Sequence, residues 1–164
     1  MQDQAGILRT VERLTALAPS GYAIALHVRF TTPTFLFQTY PREWIEVYTQ
    51  RGYVMSDPTV MWGFSNTGRV RWSDLADQDS AGMLAQSAER GMKYGFTLAT
   101  DRSGSQSLGS FTRGDREFSD AEIDEIEGLF LGLHDATTDL AGLAPETREA
   151  LKHLSITFTH PSAG

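Results

Sequence analysis

A chain of 164 residues that is 40% apolar, 21% charged and 10% aromatic has the length for one hydrophobic core and is too apolar to stay disordered. Its net charge of −7, with only 14 Lys and Arg, leaves no basic stripe of the kind that nucleic-acid binding by counterion release requires. With no cysteine, disulfides, thiolate chemistry and Cys-ligated zinc are excluded.

The polar start, MQDQAGILRTVERL, lacks the apolar core of a signal peptide, and no run is long enough to span a membrane; the expected setting is the cytoplasm. Ile7, Val11, Leu14 and Ala18 recur at helical spacing until Pro19-Ser20-Gly21, which predicts a helix over Gln4 to Leu17. From Tyr22 to Phe30 the chain alternates, with Tyr22, Ile24, Leu26, Val28 and Phe30 on one face and Ala23, Ala25, His27 and Arg29 on the other. That is a strand with one heavily buried face. Thr34 to Tyr40, rich in β-branched and aromatic residues, predicts its hairpin partner.

Pro41 suits the first turn of a helix that runs to Gly52 and aligns Trp44, Val47, Tyr48 and Arg51. Asp57-Pro58 reads as an N-cap followed by a first-turn proline, so Thr59 to Phe64 is a short helix. Arg69 to Trp72 predicts a brief strand and Ala81 to Lys93 a helix. Tyr94 to Thr100 and Gln106 to Arg113 predict strands joined by the turn-forming run Asp101 to Ser105. Ser119 and Glu122 have capping-box spacing, and Ile123, Ile126, Phe130 and Leu133 mark the buried stripe of the helix that follows. Ala144-Pro145 interrupts the pattern, which places a boundary near Ala141 between a domain over 1–141 and a tail over 142–164. The order of elements predicts an α+β fold, four or five antiparallel strands with helices on the faces.

Enzyme and metal signatures fail. The four histidines, at 27, 134, 153 and 160, form no HxxxH pair, and His27 reads as an ordinary hydrogen-bonded strand residue. There is no GxSxG elbow or SxxK pair. The run Gly104 to Ser110 lacks the lysine of a phosphate loop, and the carboxylates from Asp115 to Glu127 read as a solvated helix face. No cofactor, catalytic set or metal ligand set is expected.

The segment from Tyr40 to Trp72 is different. Taken singly, Asp57 is a helix cap and the Trp44–Tyr48 pair is core. Together with Tyr40 and Trp72 they gather an indole N–H, phenol O–H groups and a carboxylate among large apolar surfaces, the makeup of a small-molecule pocket.

The series Trp44, Tyr48, Gly52-Tyr53, Asp57-Pro58, Trp72, then Gly95 in GMKYGFTLAT and Phe111-Thr112 in SLGSFT, resembles the autoinducer-binding domain of LuxR-type quorum-sensing regulators. The resemblance runs from the first helix to about Leu140. It implies an α/β/α sandwich around an N-acyl homoserine lactone. Trp44 would donate to the lactone carbonyl, Asp57 would accept the ligand amide N–H and Tyr40 would reach the acyl carbonyl. Tyr48 and Trp72 would pack around the ring and the start of the chain. Pro58 would stand near the ligand as a structural residue, Gly95 would let backbone approach closely, and Thr112 would contact a 3-oxo group. It further implies a homodimer, or a heterodimer with a related regulator, that reaches DNA through a helix-turn-helix domain; LAPETREALKHLSITF resembles only the opening of such a domain. Two other readings stand beside it: a ligand-free interaction module or dominant-negative partner, and an acyl-amide enzyme, for which no base, nucleophile and oxyanion set is present.

Overall fold

The computed structural model describes the backbone of residues 4–30, 32–139 and 142–159 and the side chains of 5–30, 32–139 and 142–153. Strands β1 (Gly21–Val28), β2 (Phe35–Gln38), β3 (Gly68–Arg71), β4 (Tyr94–Thr100) and β5 (Gln106–Arg113) form one antiparallel sheet in the order β2-β1-β5-β4-β3. Helices α1 (Gln4–Leu17), α5 (Asp120–Ala136) and α6 (Pro145–Thr159) cover one face. Helices α2 (Arg42–Gln50), α3 (Pro58–Ser65) and α4 (Met83–Glu89) lie on the other. The result is the expected α/β/α sandwich with five antiparallel strands.

The two faces of the sheet differ in residue size. Tyr22, Ile24, Leu26, Phe35, Phe37, Phe96, Leu98 and Phe111 all point to the α1/α5 side, where they are fully buried against Ile7, Leu14, Ile126 and Phe130. This close-packed layer supplies most of the fold's hydrophobic stabilisation. The opposite face carries Ala23, Ala25, Thr97 and Ser110, and too little side-chain volume to fill the space beneath the helices.

Local chemistry sets the ends of the elements. Ser119 and Glu122 form the predicted capping box, with both reciprocal bonds present, and the stripe Ile123, Ile126, Phe130 and Leu133 is buried. Gly21 sits at φ +119°, and a Cβ there would stand 2.7 Å from the Tyr40 ring. Only glycine lets the chain leave α1 and enter the sheet so close to the next strand's end.

Strand β1 departs from simple alternation. A bulge between Ala25 and Val28 shifts the register, and His27 adopts φ +54°. One inserted residue reverses the side-chain sequence. His27 therefore turns to the α5 side, Val28 turns to the cavity side, and Phe30, expected to be buried, is fully exposed at φ +60°. The His27 ring stacks on His134 with centroids 4.5 Å apart. The network suits two neutral imidazoles: each Nε2–H donates to a carbonyl, that of His134 or Arg102, and each Nδ1 accepts from a serine hydroxyl, Ser105 or Ser107. His27 is thus the hydrogen-bonded histidine that was expected, on the opposite face.

Burial, then the neighbouring His134, lowers the pKa of His27. The unfolded chain consequently takes up this proton first on acidification. The stability that neutral His27 contributes is whole above about pH 6.5, the value of a free histidine, and is lost as pH falls through the lowered folded value. Urea melts at a series of pH values should show this acid-side slope, and His27→Asn, which tolerates the left-handed backbone, should flatten it.

Helix α4 is shorter than Ala81 to Lys93, because Gly82 and Gly91 take left-handed backbone on either side of it. The stretch Trp72–Gln78 winds as a 3₁₀ helix. Pro145 opens α6, and Leu143 and Leu151 join the large core. The boundary near Ala141 and residues 160–164 lie outside the described residues. Among the described residues no helix is long and apolar enough to cross a membrane.

Candidate ligand-binding site

A cavity of about 340 Å³ occupies the space between the small-residue face of the sheet and α2, α3 and α4. Strand register lays out its floor in rows. Gln38, Ala23, Ser110 and Thr97 stand side by side in one row, and Leu36, Ala25 and Leu108 in the next. The first row is mostly polar and the second apolar, so the cavity has two chemically distinct ends. Val28, Pro33, Val60 and Phe64 extend the apolar wall.

Asp57 anchors the polar end. It is the N-cap of α3, with Pro58 at the first helical position, so the cap reading of the sequence is correct as far as it goes. Its Oδ1 accepts from the Thr59 backbone N–H at 2.8 Å and the Thr59 hydroxyl at 2.7 Å, and its Oδ2 accepts from the Tyr48 hydroxyl at 2.7 Å. A carboxylate offers about four acceptor positions; the Val60 backbone N–H also bears on this one, and among the described residues the one bond given to Oδ2, on a side chain that lines the cavity, is that from Tyr48. Burial pushes the Asp57 pKa up, while the bonds from Thr59 and Tyr48 and from the Val60 backbone N–H pull it back. Burial, followed by the Asp57 charge, pushes the Tyr40 and Tyr48 phenols well above their ordinary value, so both stay donors.

Tyr40 and Trp44 are both buried and both line the cavity, and neither the Tyr40 hydroxyl nor the Trp44 indole N–H has a hydrogen-bond partner among the described residues. Trp44 is wedged against Tyr48 (6.1 Å between centroids, edge to face) and Tyr53 (5.9 Å). The helical spacing of Trp44 and Tyr48 makes the first contact, and Gly52 at φ +61° turns the chain back to bring Tyr53 for the second.

Trp72 reaches the cavity from the far side. Its indole N–H donates to Thr97 Oγ1 at 3.1 Å, and Thr97 and Ser110 share a hydrogen bond of 2.7 Å. Whichever hydroxyl donates within that pair, the other keeps a spare hydrogen at the cavity wall. Gly95 lies directly beneath the Trp72 ring; a Cβ there would sit 2.5 Å from the indole Cδ2. The expected close approach at Gly95 is therefore made by Trp72.

Of the residues singled out in the sequence, Tyr40, Trp44, Tyr48, Asp57 and Trp72 converge on one cavity, with Pro58 and Gly95 behind them. Thr112 does not join them: it is fully buried, does not line the cavity and donates its hydroxyl to Gly21 O at 3.0 Å, fastening β5 to the start of β1. Thr59, Thr97 and Ser110 escaped sequence reasoning. Thr59 had a local signal, since a hydroxyl two residues past an N-cap aspartate is within its reach. Thr97 and Ser110 meet only through cross-strand register.

The polar end thus offers N–H and O–H donors from Trp44, Tyr40 and the Thr97–Ser110 pair, and one strong acceptor on Asp57. This set matches a ligand with carbonyl groups and one donor of its own, attached to an apolar tail.

The autoinducer binding domain family matches residues 3–136. The transcriptional activator protein YukR of Yersinia ruckeri is 25% identical over 77% of this chain and 68% of its own length. The quorum-sensing regulator RhlR of Pseudomonas aeruginosa is 31% identical, over 47% of this chain and 32% of its own. Among solved structures, the N-acylhomoserine lactone dependent LuxR family transcription factor CepR2 of Burkholderia cenocepacia superposes with a TM-score of 0.61 at 23% identity, covering 82% of each chain. SdiA in complex with octanoyl-rac-glycerol shares the fold at a TM-score of 0.60 and 18% identity, over 88% of this chain and 64% of its own. With the family matched over most of its length, this chain belongs to the autoinducer-binding domains of LuxR-type regulators, which are ligand-binding modules and not enzymes.

Proposed function

We propose that this domain binds an N-acyl homoserine lactone, or an amphiphile with the same donor and acceptor pattern, and thereby controls transcription. The observation that carries the reading is the Asp57 carboxylate in the same cavity as the unpartnered donors of Tyr40 and Trp44. A buried amide N–H without a partner costs roughly 1 to 3 kcal/mol, and a carboxylate is a strong acceptor for it. Asp57 takes the ligand N–H, Trp44 donates to the lactone carbonyl and Tyr40 to the acyl carbonyl. Tyr48 holds Asp57 in place and Trp72 walls the start of the tail. A 3-oxo group meets the Thr97–Ser110 hydroxyls rather than Thr112, which is committed to Gly21.

The tail lies along Ala25, Leu36 and Leu108 toward Val28 and Phe64, gaining about 0.8 kcal/mol per buried CH₂. The domain acts in the cytoplasm as a homodimer or with a related regulator, and DNA is contacted through a helix-turn-helix domain. The lactone named for CepR2 and the acylglycerol named for SdiA both present a donor that Asp57 can accept.

The test is thermal melting with a series of acyl-homoserine lactones from butanoyl to dodecanoyl and with 1-octanoylglycerol, joined to mass spectrometry of extracted ligand. A ligand at 100 times its Kd should add about 2.7 kcal/mol of stability. No shift with any of them, and nothing extracted, would overturn the reading.

A further inference from the structure

Resting on that reading, we propose that Arg90 is a positioning residue for the head-group end of the cavity, acting through Trp44. Arg90 is the residue that ends α4, and its guanidinium carbon lies over the Trp44 ring, 5.4 Å from the centroid. Its Nη1 donates to Gln86 O at 2.9 Å and to Gln86 Oε1 at 3.0 Å, two bonds that tether the group one helical turn back. Its Nε is buried with no hydrogen-bond partner among the described residues.

Several other arginines of this domain take carboxylate partners, although Arg51 also lies over a ring, that of Tyr53, and Arg113 over that of Phe118. Arg69, Arg71, Arg113 and Arg116 each pair with carboxylates of the α5 region. Arg90 has no ion pair among the described residues. A half-buried guanidinium that forgoes a carboxylate and leaves a donor unmet is held there by the ring and by Gln86 together.

Two effects on ligand binding follow. The indole is already flanked by Tyr48 and Tyr53; Arg90 adds a further contact and limits its tilt. A cation over the π face also draws electron density from the ring, which makes the indole N–H a stronger donor toward a carbonyl oxygen. Both effects act on the one ligand group that Trp44 addresses and leave the amide and tail to other residues.

The experiment compares two probes with the same octanoyl tail and amide: N-octanoyl homoserine lactone, and N-cyclopentyl octanamide, which lacks the lactone carbonyl. Arg90→Met keeps the apolar stem and removes the charge. It should weaken the lactone by about five- to tenfold, leave the cyclopentyl amide within about twofold, and be partly rescued in Arg90→Lys. Should Arg90→Met lower the melting temperature of the free protein, Gln86→Ala, which removes the side-chain tether and keeps the bond to the backbone carbonyl, should still show a smaller loss confined to the lactone. Equal losses for the two probes, or no loss for either, overturn the positioning role. If the wild-type protein binds neither octanoyl probe, the pair is remade at the tail length that it does bind; binding at no length overturns the ligand reading itself and this proposal with it.

Discussion

Asp57→Asn protein should melt at or above the wild-type temperature without ligand and lose roughly tenfold to hundredfold in affinity for an acyl-homoserine lactone. Asparagine caps a helix as well as aspartate does, and its Oδ1 can still accept both bonds from Thr59. What changes is the other position. An amide NH₂ there faces the ligand N–H with a donor, and the cavity is left with an unmet buried group.

The pH argument gives the sign for the free protein. Burial raises the folded pKa of Asp57, so the folded state holds this proton more tightly than the unfolded chain does. Ionised Asp57 therefore costs stability above its folded pKa, and that cost disappears as pH falls toward the ordinary carboxylate value of about 3.9. Asparagine removes the charge and with it this pH dependence. Melts across pH, paired with titration calorimetry, check both halves. A variant that unfolds while keeping its affinity would reduce Asp57 to a helix cap.

Gly95→Ala should damage fold and site together. The new methyl would stand 2.5 Å from Trp72 Cδ2 and 2.8 Å from Cε2 and Cε3, so the indole must lift off the strand. It then loses its bond to Thr97 and intrudes on the cavity it lines. Overpacking of this kind costs about 2 kcal/mol, or a melting temperature about 6 °C lower. A loss of lactone affinity should accompany it. Differential scanning calorimetry and tryptophan fluorescence would report the displacement. Unchanged Trp72 emission with normal binding would mean that the strand gives way instead.

The sequence carried the site where its chemistry was local. Trp44 and Tyr48 are one helical turn apart, Asp57-Pro58 is a cap followed by a first-turn proline, and such signals survive without any tertiary information. The strands β4 and β5 were legible for the same reason, since each is bounded by turn-forming residues. What stayed hidden was set by pairing across the sheet. Ser110 becomes a cavity residue because it lies beside Thr97 and Ala23, and Thr112, two residues on, is drawn into a bond with Gly21. The bulge at His27 was hidden too: its left-handed backbone is stabilised by Ser105, Ser107 and His134, all distant in sequence. A reading by strict alternation accordingly placed Val28 and Phe30 wrongly.

The cavity owes its depth to two alanines in a central strand. Ala23 and Ala25 occupy β1 between β2 and β5, Ala23 in the polar row and Ala25 under the space where the ligand tail is placed. Valine at position 25 would raise the floor without touching Tyr40, Trp44, Tyr48 or Asp57. Single replacements in β1 can therefore retune which signal fits while the hydrogen-bonding end stays constant.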